Sequence, residues 1–140
     1  MQKITALTDT SLLAALHKSA FEAAGSVVWE AKAFADLIEK SGACAFGTKD
    51  GFILMQSLEP EAEILTLAVH PAARRAGLAA RLIAHAQAAL GAQVIFLEVA
   101  ADNLAARALY EKCGFHETGR RKAYYKRADG TRVDAVLMQY

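Results

Sequence analysis

The sequence predicts a mixed α/β domain, with about seven strands in one sheet and helices on both faces. Three observations carry that prediction. Apolar residues recur at helical spacing up to about residue 40, strand-like runs separated by turn residues follow, and two strand–helix–strand segments come after them. Hairpins and strand–helix–strand segments cannot all lie in a purely parallel sheet, so the sheet has to be mixed.

Each element has its own signal. Residues 2–7 suit a short first strand. From Asp9 to about Ala24, Leu12, Leu13, Leu16, Ala20 and Phe21 mark one helix face, with Asp9, Thr10 or Ser11 as its cap. A second helix is predicted from about Trp29 to Lys40, carrying Phe34, Leu37 and Ile38 and stopped by "SG". The run "ACAFGTKDGFILMQSLEPEAEILTLAVHP" reads as three strands turning at "KDG" and "EPEAE". Leu78, Leu82, Ile83, Ala86 and Leu90 trace a third helix ending at Gly91. "VIFLEV" (94–99) is a strand, and "NLAARALYEKCG" (103–114) is a helix capped by Asp102 or Asn103. The tail is a hairpin turning at "ADG".

With 140 residues the chain has the length of one ordinary domain, and no linker, repeat or low-complexity tract divides it, so 1–140 is expected to be a single domain. Apolar residues make up 54% and charged residues 22%, a globular balance. A formal charge of +1 argues against general nucleic-acid binding, which needs a strong basic excess. Cys44 and Cys113 lie far apart, with neither metal-ligand nor redox spacing, and are expected to be free thiols in a reducing cytoplasm. No signal peptide or bilayer-spanning run is evident, so no membrane role is expected. His17, His70, His85 and His116 lack ligand spacing, so no metal is expected.

"VHPAARRAGLAARL" (69–82) carries the clearest chemistry. Arg74 and Arg75 stand just before Gly77, where an apolar strand gives way to an alanine-rich helix. A helix N-terminus offers free N–H groups and partial positive charge, glycine lets backbone approach an anion, and arginines add bidentate contacts. Between Glu63 and Glu98 the chain holds no acidic residue, while Arg74, Arg75 and Arg81 fall inside that stretch. A phosphate-bearing ligand fits, although a solvated arginine pair before a packing helix would read the same way. Neither a P-loop nor a dinucleotide fingerprint is present.

"RRAGLA" (74–79) matches the [QR]-x-x-G-x-[GA] signature of the GNAT (GCN5-related) N-acetyltransferases, which the chain also resembles in element order and in "FLEVAADNLAARALYEKCGF". "EILTLAVHP", "GRRKAYY" and "DAVLMQY" narrow the resemblance to the RimI-type branch, whose members acetylate the N-terminal α-amine of a ribosomal protein. The likeness runs from about Glu63 to Tyr140, and residues 1–60 are less specific. It implies the GNAT acyl-CoA N-acyltransferase fold, with a mostly antiparallel sheet, and acetyl-CoA as co-substrate. The implied partner is the N-terminus of an Ala-initiated ribosomal protein, with the enzyme a monomer or weak homodimer.

By the same resemblance, the backbone of Leu67, Ala68 and Val69 would hold the pantetheine arm. Arg74, Arg75, Ala76, Gly77, Leu78, Ala79 and Ala80 would wrap the pyrophosphate, Ala79 standing where many relatives have a second glycine. Asn103 would hold the pantetheine by its amide, or serve as a plain helix cap, or both. Glu98, the only charge in "VIFLEV", shares a strand face with Val94 and Phe96. Apolar neighbours should raise its pKa and suit it to take the acceptor's proton. Tyr110 would protonate the departing CoA thiolate, and Tyr124 and Tyr125 would line the acceptor channel. Cys113 lacks a nearby His–acid pair, so no acyl-cysteine is expected. Three alternatives stay open: a GNAT enzyme acting on lysine or a small-molecule amine, a silent acyl-CoA-binding module, and RNA binding through 119–127.

Overall fold

The computed structural model describes residues 2–22 and 27–140. In chain order the elements are β1 (Thr5–Leu7), α1 (Thr10–Phe21), α2 (Ala31–Ser41), β2 (Cys44–Thr48), β3 (Gly51–Leu58), β4 (Glu61–Val69), α3 (Leu78–Leu90), β5 (Val94–Ala100), α4 (Leu104–Lys112), β6 (His116–Lys126) and β7 (Arg132–Gln139). A 3-10 turn at Pro71–Ala73 separates β4 from α3. The seven strands form one sheet in the order β1-β2-β3-β4-β5-β7-β6. Among the described residues only β4 and β5 pair in parallel, and α3 is the crossover that such a pair requires.

Alternation along the strands explains the two layers. On β3, Phe52 and Leu54 face α1 and α2, in a core with Leu13, Leu16, Phe34, Ala45 and Ala68. Ile53 and Met55 face the other way, in a core with Leu78, Leu82, Ile83, Ile95, Leu97 and Phe115. A strand buried on both faces reads as a continuous apolar run, which is what "FILM" is.

The ends of the elements follow local chemistry. Asp9 caps α1, its carboxylate accepting the N–H of Ser11 and Leu12. The expected end of this helix at Ala24 lies outside the described residues; the helix itself runs to Phe21. The second helix begins at Ala31 rather than Trp29, and the reason is a tertiary contact. Trp29 N–H donates to Nδ1 of His17 at 3.2 Å, and its ring stacks on the imidazole with centroids 5.2 Å apart. Gly42 ends α2 in the left-handed region, as "SG" implies.

The register of β4 against β3 slips once. Ile64 faces Met55 and Thr66 faces Leu54, so β4 carries an extra residue, Leu65. Pairing of β4 with β5 covers only Glu61–Ile64 against Val94–Leu97 and stops at that bulge.

His17 is buried at 3% exposure between Trp29, Phe21 and Phe34, and burial lowers its pKa from 6.5 to about 4. In the unfolded chain the imidazole takes a proton as pH falls through about 6.5, while in the folded chain it resists until about 4. Its contribution is therefore complete above pH 6.5 and lost as pH falls toward 4, by about 3 kcal/mol at most. Urea unfolding at pH 7 and pH 4.5 should show a steeper acid loss for the parent than for His17→Gln, which keeps an acceptor for Trp29. Parallel losses in the two proteins would remove His17 from this role.

Candidate active site

Beyond the bulge, residues 65–69 of β4 and 98–100 of β5 run apart, and each keeps its outer neighbour. β4 stays paired with β3, and Glu98, Val99 and Ala100 stay paired with Leu137, Val136 and Ala135 of β7. The inner edges are left facing an opening. His70 N–H bonds back to the Asp50 carbonyl at 2.8 Å, which fixes the phase of the strand end. Alternation then turns the backbone groups of Val69 and Leu67 toward the opening and those of Ala68 toward β3. Of the three residues expected to hold an extended ligand, Leu67 and Val69 thus present polar groups, and Ala68 packs.

The chain then enters α3 through a strained loop. Arg75 has φ of 67° and Gly77 has φ of 79°, both in the left-handed region. Nothing lies within 4 Å of where a Cβ on Gly77 would sit, so its backbone angle, rather than contact within the protein, demands glycine. Among the described residues no side chain caps α3, and the N–H groups of Leu78, Ala79 and Ala80 have no intrahelical partners. Arg74 Nη2 donates to the Ala20 carbonyl at the end of α1 at 3.3 Å, and Arg81 Nη2 to the Gln2 carbonyl at 2.8 Å. Among the described residues, Arg75 has no hydrogen bond or ion pair. The arginine-rich loop therefore divides its roles: Arg81 fastens the N-terminal segment and Arg74 reaches α1.

Asn103 caps α4 by accepting Ala106 N–H at 3.2 Å, so its amide NH2 keeps its donors. Its cap role and its proposed ligand role are compatible.

On the α1/α2 side of the sheet the opening is ringed by ionisable groups. Glu98 is the first β5 residue past the last β4 pair. Its carboxylate does not stand among apolar neighbours alone, as the sequence suggested: Arg121 Nε lies 2.9 Å from its Oε1. Burial pushes up the carboxyl of Glu63 on β4, which sits opposite Phe96 in the parallel register and so shares a face with Glu98. Burial raises the Glu63 pKa first and the Glu98 charge raises it further, while Arg121 opposes both. Sequence reasoning missed Glu63 as a site residue. The available signal was its place in "EAEILTL", with a polar residue at alternate positions of a strand leading into the site.

Tyr125 is half-buried beside this pair, and its hydroxyl is pushed up to about 12, chiefly by burial and then by Glu98. Tyr124 is 49% exposed, packs edge-on to Tyr125 at 5.1 Å and lies under the Arg121 guanidinium at 5.4 Å. Tyr110 belongs to the opposite core, with its ring T-shaped to Phe115 at 5.6 Å. Burial, with Cys113 and Tyr125, drives its pKa well above the usual phenol range, so it stays protonated. Burial likewise raises the Cys113 thiol, the reverse of what a nucleophilic thiolate needs.

The chain is similar to several known proteins. A family model described as the Acetyltransferase (GNAT) family matches residues 11–115. The ribosomal protein bS18-alanine N-acetyltransferase of Escherichia coli (strain K12) is 36% identical over 145 residues, spanning 99% of this chain and 96% of that protein. The Haemophilus ducreyi protein of the same name is 38% identical over 90 residues, 62% of each chain. The crystal structure of the ribosomal-protein-S18-alanine N-acetyltransferase from Escherichia coli superimposes with a TM-score of 0.84 at 34% identity, covering 99% of this chain and 92% of that one. Arabidopsis thaliana NAA60 in complex with acetyl-CoA shares the fold, with a TM-score of 0.79 at 20% identity, covering 99% of this chain and 97% of that one.

The Glu63 environment is directly measurable. Carbon-13 NMR titration should find the Glu63 carboxyl above the ordinary glutamate range, lower in Glu98→Gln and higher in Arg121→Ala. A midpoint that ignores both substitutions would show that Glu63 does not feel this cluster.

Proposed function

This chain belongs to the GNAT acetyltransferase family, and we propose that it transfers the acetyl group of acetyl-CoA to the N-terminal α-amine of an Ala-initiated ribosomal protein of the bS18 type. The observation that carries this reading is the opening between β4 and β5. One end lies at the uncapped start of α3 and the other at Glu98, with an unpaired strand edge between them.

The chemistry suits each end. Acetyl-CoA is the co-substrate, its pyrophosphate received by the free N–H groups of Leu78, Ala79 and Ala80 with Arg75 and Arg74 alongside. Leu67 and Val69 pair with the amides of its pantetheine arm, and the Asn103 amide holds the arm from β5's side. The acceptor amine enters from the α1/α2 face past Tyr124 and Tyr125. Glu98 takes the ammonium proton, directly or through water. The neutral nitrogen attacks the thioester carbon while a backbone N–H on the open edge of β4 steadies the developing oxyanion. The C–S bond breaks, and the thiolate takes its proton from Tyr110. No covalent acyl-enzyme is required.

An α-amine also suits a single base. At pH 7.5 an α-amino group of pKa about 7.8 is roughly one-third neutral, against about 0.1% for lysine near 10.4.

Thiol release from acetyl-CoA tests the proposal, with an Ala-initiated peptide as one acceptor and the same peptide, N-terminally blocked but containing lysine, as the other. Turnover is expected with the free N-terminus alone. Turnover on the blocked peptide would make the enzyme a lysine acetyltransferase, and CoA binding without turnover on either would favour a silent module.

Glu98→Gln should lower kcat about a hundredfold at neutral pH, the lower range for a positioned acid–base group. Tyr110→Phe should cost only about tenfold, because a thiol of pKa near 8.5 leaves tolerably unaided. Equal losses in the two variants would contradict this division of labour.

A further inference from the structure

β6 is the outer strand of the sheet, and its pairing with β7 is interrupted in the middle. Arg121 stands opposite Ala135 and Tyr125 opposite Val133, so Lys122, Ala123 and Tyr124 together face the single residue Asp134. Both backbone polar groups of the central residue are met by side chains of β7. Asp134 Oδ1 accepts the Ala123 N–H at 2.9 Å, and Arg132 Nη1 donates to the Ala123 carbonyl at 3.4 Å. Ala123 has φ of 50°, a left-handed conformation that an alanine does not hold without support.

The interruption shortens β6 where it matters. Four residues of regular strand span about 13 Å, whereas two span about 7 Å. Arg121 and Tyr125 are four apart in sequence but face partners two apart on β7. Regular pairing would carry one of them away from the opening. Instead Arg121 reaches Glu98, the Glu98 charge acts on Tyr125, and Tyr124 folds against both Arg121 and Tyr125.

We propose that Asp134 is a positioning residue for the acceptor side of the site: by pinning Ala123 it holds the β6 bulge that brings Arg121 and Tyr125 together at Glu98. It touches neither substrate in this role. The kinetic consequence rests on the amine-transfer reading, since only an acceptor bound at Glu98 would sense the bulge.

Three proteins decide the matter: the parent, Asp134→Ala and Asp134→Asn, whose amide oxygen can still accept the Ala123 N–H. Asp134→Ala should raise the KM for an Ala-initiated hexapeptide about tenfold by misplacing the acceptor contacts, with the KM for acetyl-CoA within about twofold of the parent. Asp134→Asn should restore the peptide KM. A purely structural loss would move both KM values together. Hydrogen exchange at the Ala123 amide reads the latch without any substrate: slow in the parent and in Asp134→Asn, fast in Asp134→Ala. Equal exchange in all three proteins, equal shifts in both KM values, or failure of the Asn variant to rescue would each overturn the inference. A parent that acetylates no peptide sinks the functional reading instead, and the exchange comparison still decides whether Asp134 holds the bulge.

Discussion

A single extra residue in β4 governs the molecule. With Leu65 inserted between the Ile64–Met55 and Thr66–Leu54 pairs, β4 cannot follow β3 and β5 at once. It keeps β3, and pairing with β5 ends at Ile64 and Leu97. Backbone groups left dry and unpaired cost about 1–3 kcal/mol each, so an opening lined by them is tolerable only where water or a ligand can reach in. The sheet survives because the other edge of β5 is held by β7 through Ala100–Ala135, and because apolar side chains from α3 and from α1 and α2 cover its two faces. Stability is thus supplied by the neighbours, and the gap is left for chemistry.

The gap is polarised along its length. At the α3 end the free N–H groups and Arg75 favour negative charge. At the β5 side Glu63 and Glu98 share one face of the sheet, with Arg121 as the cation beside Glu98. An anionic ligand and a cationic amine are therefore drawn to different ends, which fixes the orientation of the two reactants before any specific contact is made. Placing Arg121 beside two carboxylates also limits their mutual repulsion while leaving a proton acceptor near an incoming ammonium.

Much of this was legible in the chain. Hydrophobic period and turn residues gave the order of the elements, Asp9 and Asn103 act as the caps their residue types suggest, and "RRAGLA" falls on the loop and first turn of α3. What was hidden shares one cause: it depends on partners far along the chain. The bulge at Leu65 sits in an apolar run without glycine or proline, so nothing local announces it. Glu63 becomes unusual only because the parallel register sets it beside Phe96 and near Glu98. Ala123 takes a conformation that glycine would have signalled, and Asp134 makes that conformation possible. His17 read as one of four histidines without ligand spacing, whereas its ring closes the α1 core against Trp29.

The same dependence on distant partners ties the two ends of the site together. Arg74 belongs to the loop that opens α3, yet its Nη2 holds the carbonyl of Ala20 at the end of α1. A guanidinium has five N–H donors, and this contact commits one of them. The remaining donors can meet an anion at the α3 N-terminus without releasing α1. Below that contact, on the same helix, His17 receives the Trp29 N–H and fixes where α2 begins. The C-terminal part of α1 is therefore fastened by two contacts one turn apart, a buried imidazole toward α2 and an arginine of the loop that opens α3.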